Sequence, residues 1–207
     1  MVNLDPSRPL IICDADEVLL QFVVGLERFL ERRDCFLDLS SFAIHGNVKR
    51  RGTNEVVANQ EVSRLLDAFF ASETRHMDVV PGAADALQSL AERGQIVILS
   101  NLPEMAREAR CANLAAHGIP YPVIAGVGPK GAFVRRLIYG FDKPVVFVDD
   151  LPPHLTSVAQ ETPHVHRLHF VADPRLAKLL PPAQDAHRRI DAWPEARAWI
   201  ESVIAER

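Results

Sequence analysis

The chain has 207 residues, 48% of them hydrophobic and 24% charged, the proportions of a globular protein able to bury a core, as one domain or as a domain with an insert. A formal net charge of -4 gives no field to hold a polyanion, so no nucleic-acid polymer is expected as a partner, and no stretch approaches the roughly 18 apolar residues of a membrane span. Residues 1–9 lack the apolar run of a secretory signal, and Cys13, Cys35 and Cys111 are too few and scattered for a disulfide framework or a zinc site, so the expected location is the cytoplasm.

Continuously apolar, β-rich runs at 10–13, 96–99, 122–125, 145–148 and 166–171 predict strands buried on both faces. Helical patterns lie between them. Those at 83–93, 104–117 and 131–139 each stop at a glycine, Gly94, Gly118 and Gly140. The alternation predicts an α/β fold: a right-handed, three-layer parallel sheet with helices on both faces. Between the first and second strands the gap far exceeds what one crossover helix needs. Amphipathic patterns at 22–31 and 61–72, with a polar loop at 45–54 between them, predict a small helical cap over 19–80. The core is then 1–18 together with 81–207, re-entered at Pro81-Gly82. A last helix is expected to open near Pro194.

Open parallel sheets bind ligands beyond the carboxyl ends of their strands, so the residues following each strand are informative. These are Asp14-Ala15-Asp16-Glu17, then Ser100-Asn101, Lys130, and Asp149-Asp150. Clustered carboxylates repel one another without a cation among them, and an all-oxygen donor set suits Mg2+. Asp14 and Asp149, with Asp150 adjacent, are the expected side-chain ligands. Ser100 and Asn101 offer polar contacts and Lys130 a positive charge to a phosphoryl group. Asp14 is then available as a nucleophile. In an extended chain Asp16 points to the same side, placed to protonate a leaving alkoxide and later to activate water.

The run Ile11-Ile12-Cys13-Asp14-Ala15-Asp16-Glu17-Val18-Leu19 resembles the first motif of the haloacid dehalogenase superfamily. Ile98-Leu99-Ser100-Asn101 resembles its second, Gly128-Pro129-Lys130 its third and Val146-Phe147-Val148-Asp149-Asp150 its fourth. The resemblance implies a Rossmann-like core and the family's first class of cap. It also implies a phosphatase acting through an aspartyl phosphate on a small phosphorylated molecule, with Asp14 as nucleophile, Asp16 as acid and base, and the Asp16 main-chain carbonyl a further magnesium ligand. Glu17 departs from the small residue many family phosphatases carry there, and either narrows the pocket or faces solvent.

Other readings compete. Gly126-Val127-Gly128-Pro129-Lys130-Gly131 fits a dinucleotide-binding G-x-G-x-x-G, with Asp149 where a ribose-binding acid belongs, but leaves Asp14, Asp16 and Ser100 without work. A response-regulator receiver gathers similar groups in a different order and has no cap. A catalytically dead binding module on the same fold remains open. A dehalogenase needs neither the second aspartate nor magnesium. His164, His166 and His169 are expected at the surface, Trp193 and Trp199 in tail-helix packing, and Lys49-Arg50-Arg51 in a solvated loop. No residue of the cap names a substrate, and the oligomeric state is left open.

Overall fold

The computed structural model describes residues 2–205. After β1 (Leu10–Cys13) the chain leaves for an insert built of α1 (Phe22–Glu31), an antiparallel pair β2 (Cys35–Leu37) and β3 (Val48–Arg50), and α2 (Asn59–Glu73). It returns through α3 (Ala83–Ala91), β4 (Gln95–Asn101), α4 (Arg107–Ala116), β5 (Val123–Gly126), α5 (Gly131–Leu137) and β6 (Val145–Asp149). The chain continues through α6 (Pro152–Glu161), β7 (His166–His169), α7 (Pro174–Ala177), β8 (Arg188–Arg189) and α8 (Trp193–Ala205).

Six strands form one parallel sheet in the order β5-β4-β1-β6-β7-β8, with β1 and β6 innermost by burial. Because side chains alternate along a strand, the same short runs feed two cores. Ile11, Cys13, Ile98 and Val148 pack toward Leu87 of α3 and Ile200 of α8, while Ile12, Val97 and Phe147 pack toward Val134 of α5 and Leu155 of α6. The continuous apolarity of the strands thus follows from helices on both faces.

The insert joins the core through two adjacent crossings. Val80 N donates to Leu19 O at 2.8 Å and Gln21 N to Asp78 O at 2.9 Å, so the departing and returning chains pair as a short ribbon. The turn into α3 requires Gly82: its φ is +80°, and an added Cβ would lie 3.4 Å from Trp193 Cβ. Within the insert, Phe69 is fully buried and meets Phe22 and Phe29 edge to face, so α1 and α2 have a core of their own.

Three expectations are corrected. The stretch 45–54 is not loop throughout, since it contains β3, which pairs with β2. Lys49 and Arg50 lie in β3 and not in a loop; with the exposed Arg51 they pair with Asp38 at 2.5 Å, Glu61 at 2.5 Å and Glu31 at 2.9 Å. His169 is not at the surface but fully buried, because β8 and the segment before it cover the end of β7. Its Nδ1 accepts from Ala183 N at 3.0 Å, which leaves Nε2 to donate to Asp150 O at 2.9 Å. Trp193 meets the expectation of packing, with Nε1 donating to Val18 O at 2.8 Å.

Candidate active site

The carboxyl ends of β1, β4 and β6, together with the turn after β5, bring the expected residues to one edge of the sheet. Asp14 follows β1, and its N–H donates to Val148 O at 2.8 Å, which continues the ladder into the site. Asp14, Asp149 and Asp150 each offer one carboxylate oxygen, and these oxygens all lie within 4.8 Å of one another. Lys130 Nζ stands 2.7 Å from Asp14 Oδ1 and 2.7 Å from Asp149 Oδ2, the latter a hydrogen bond. Asp149 Oδ1 accepts from Leu151 N at 2.9 Å at the start of α6.

The charge balance of this cluster is incomplete. Burial pushes the Asp149 carboxyl up to about 7 despite Lys130, and burial with the neighbouring Asp149 and Asp14 pushes Asp150 well above the carboxylate range. Burial alone would lower the Lys130 ammonium, but Asp14 and Asp149 outweigh it and raise it. Asp150 Oδ1 and Ser100 Oγ are buried without a hydrogen-bond partner, and Asp14 Oδ1 has only its contact with Lys130. Three clustered carboxylates with one buried oxygen unpartnered, beside an unpartnered hydroxyl, have capacity for a cation and a polar ligand.

Asp16 is placed differently from the other carboxylates. Arg110 of α4 grips it with two hydrogen bonds, Nη1 to Oδ1 at 2.7 Å and Nη2 to Oδ2 at 3.1 Å. Burial raises the Asp16 carboxyl above its ordinary value, and Arg110 offsets only part of that rise. Arg110 is itself fully buried. The helical stripe Arg110, Asn113, Leu114 is the buried face of α4, so an arginine on an otherwise inward face was the available signal for it. Asn113, one turn on, bonds the carbonyls of Arg75 and Met77 and so ties the same helix to the chain returning from the insert.

Glu17 does not face solvent. It is 3% exposed, sits at φ 57°, and accepts from Val23 N at 2.7 Å and Asp173 N at 3.0 Å. The left-handed backbone costs about 1–3 kcal/mol at a non-glycine residue, offset here by two buried N–H groups. Burial holds its carboxyl up at about 7 against those donors. Its carboxylate therefore links the first turn of α1 in the insert to the segment before α7 in the core.

The glycines between β5 and α5 have local reasons. Gly126 lies against Asn101, whose Nδ2 donates to Gly128 O at 2.9 Å. An added Cβ at Gly131 would stand 2.1 Å from Ser157 O, so α5 and α6 approach there only because residue 131 has no side chain. The G-x-G-x-x-G spacing thus serves a turn, a side-chain anchor and a helix contact. His154 on α6 was not singled out from sequence. Its Nε2 lies 3.3 Å from Asn101 Nδ2, and burial, then Lys130, holds its imidazole down at about 4, so it is neutral near pH 7.

Above the edge lies a cavity of about 370 Å³ between core and insert. Asp14, Asp16, Asn101, Lys130, Asp150 and His154 line its floor, and the insert supplies most of the rest.

Solved structures that share this fold include haloacid dehalogenase-like hydrolases. A HAD family hydrolase from Deinococcus radiodurans R1, with bound phosphate and sodium, matches with a TM-score of 0.64 at 15% identity over 96% of this chain and 97% of that one. YfnB from Bacillus subtilis, a HAD-hydrolase candidate bound to magnesium, matches with a TM-score of 0.65 at 10% identity over 94% and 99%. A dehalogenase with an intermediate complex matches with a TM-score of 0.60 at 13% identity over 99% and 100%. No protein-family model and no curated protein matches the sequence. At these identities the likeness establishes the fold. No described helix is long and apolar enough to cross a membrane.

Proposed function

We propose that the protein is a magnesium-dependent phosphohydrolase of the haloacid dehalogenase type, cleaving a small phosphate monoester through an aspartyl phosphate. The observation that carries this reading is the meeting of Asp14, Asp149 and Asp150 within 4.8 Å beside a buried lysine. The all-oxygen donor set and the unpartnered Asp150 oxygen fit magnesium, which Asp14, Asp149, Asp150 and the Asp16 carbonyl would hold. A cation there supplies electrostatic stabilisation of phosphoryl charge.

In this reading one Asp14 carboxylate oxygen attacks phosphorus and the bond to the ester oxygen breaks. The leaving alkoxide takes a proton from the Asp16 carboxyl and departs as the alcohol. Asp16, now a carboxylate, accepts a proton from water, which attacks the phosphorus of the aspartyl phosphate and frees Asp14 and inorganic phosphate. Ser100 Oγ and Asn101 are assigned to the phosphoryl oxygens, and Lys130 to holding Asp14 and balancing phosphoryl charge. The Arg110 pair positions Asp16 through both oxygens, while burial, the larger influence, favours the protonated form that the first step requires. Residues 19–80 act as cap over a core of 1–18 and 81–207. The lone cysteines support a cytoplasmic location.

The test is release of inorganic phosphate from phenyl phosphate by the purified protein. Turnover that needs magnesium and stops in excess chelator is expected; full turnover in chelator would remove the metal-dependent mechanism. A second reading, hydrolytic dehalogenation, is favoured by the apolar side of the cavity and by the dehalogenase neighbour. It leaves Asp16 and Asp150 without work, and halide release from a 2-haloalkanoate in chelator would establish it.

A further inference from the structure

The cavity has two chemically opposite sides. Its floor carries Asp14, Asp16, Lys130 and Asp150, whereas the facing wall is Phe22, Leu39, Phe42, Ile44, Leu66 and Phe70. Each of those six wall side chains is only half-buried, so carbon surface remains uncovered in front of the carboxylates. Phe22 and Phe70 pack with Phe69 between α1 and α2 on one side and line the cavity with their uncovered part.

Among the described lining residues Lys130 is the sole lysine or arginine, and it is engaged by Asp14 and Asp149. On the insert's own sheet, Lys49 and Arg50 are paired with Asp38 and Glu61 and do not line the cavity. A leaving group bearing a carboxylate or a second phosphate would therefore meet no free cation. The wall's polar groups, Ser41 and His45, sit at the exposed rim, with His45 in contact with Ser63 at 3.1 Å. A polyol placed against the wall would lose hydrogen bonds to water without replacement, while an apolar group gains by leaving water.

We infer that the substrate, on the phosphohydrolase reading above, is the phosphate ester of an uncharged alkyl or aryl alcohol whose carbon skeleton lies against Phe22, Leu39, Phe42, Ile44, Leu66 and Phe70. The cavity volume of about 370 Å³ lies in the range of small-molecule clefts. The phosphate is received by the polar floor and the alcohol by the wall, so the reacting bond lies at the boundary between them.

The test measures kcat/KM with magnesium across ethyl, butyl and hexyl phosphate, whose leaving alcohols have nearly equal acidity and differ in apolar contact. Glycerol phosphate serves as a polar ester of similar size and phosphoglycolate as a charged one. The value should climb by up to about fourfold per added methylene, with the polar and charged esters well below butyl phosphate. Leu66→Ser and Phe42→Ser, each checked for folding by circular dichroism, should flatten the climb. A flat series, or a preference for glycerol phosphate or phosphoglycolate, would overturn the assignment of the wall while leaving the hydrolase reading standing. No phosphate from any ester would overturn both.

Discussion

The floor and the wall of the cavity are built on different principles. The floor consists of short polar sequences at strand ends, with backbone held by the sheet ladder and side chains held by one another: Lys130 between two aspartates, Asp16 in the fork of Arg110. The wall consists of apolar side chains on α1, α2 and the connections beside β2, reached from the core by two adjacent strand crossings. On the proposed reading, chemistry belongs to the sheet edge and recognition to the insert, and the two can vary separately. The two are joined at Glu17, whose carboxylate receives an N–H from each side.

The largest effect is expected where the floor loses its nucleophile. Asp14→Asn should abolish turnover while circular dichroism stays native, because an amide is nearly isosteric but cannot form the phosphoryl ester. Asp16→Asn comes next, with kcat falling by about 10² to 10⁴ and KM moving far less. That loss in the formation step should be severe for an alkyl phosphate and mild for nitrophenyl phosphate, which burst kinetics can read. Equal losses for both esters would make Asp16 a metal-organising residue.

Smaller effects probe the groups behind the floor. His154 is held down at about 4 by burial and Lys130, against an ordinary 6.5. Its unfolded form binds the extra proton in that window, so it contributes stability that is present above about 6.5 and lost as pH falls toward 4, up to about 3 kcal/mol. His154→Gln should remove that acid-side loss, seen as a shallower decline of Tm between pH 6.5 and 4.5; an unchanged slope would show that His154 does not titrate differently on folding. The smallest effect is a ligand shift. Magnesium at 100 times its Kd should stabilise by about 2.7 kcal/mol, and Asp149→Asn should erase most of the rise in Tm. An equal rise in that variant would place the ion elsewhere.

The floor was far more legible in the sequence than the wall. Strands at 10–13 and 145–148 are continuous apolar runs with carboxylates directly after them, so periodicity and chemistry marked the same positions. Helix α1 was bounded at both ends as observed, and α2 extends one or two residues beyond the expected 61–72. The pair β2 and β3 was hidden because three-residue strands carry too little alternation to be distinguished from a polar loop, and β8 has only two residues. Leu66 and Phe70 read as helix core from spacing alone, and only the tertiary fold leaves them half-covered before the carboxylates. Arg110 meets Asp16 across 94 residues of chain, a contact that no local pattern encodes. Glu17 was ambiguous for a similar reason, since one of its two partners, Asp173, lies 156 residues away.

The central claim is that Asp14 takes the phosphoryl group. Its most direct test is mass spectrometry of acid-quenched Asp16→Asn protein after mixing with nitrophenyl phosphate and magnesium, since that variant should form the aspartyl ester and hydrolyse it slowly. A phosphoryl adduct on the peptide carrying Asp14, absent in the Asp14→Asn, Asp16→Asn double variant, is the predicted result. Turnover by the wild type, with no adduct in the variant and sustained activity in Asp14→Asn, would contradict it.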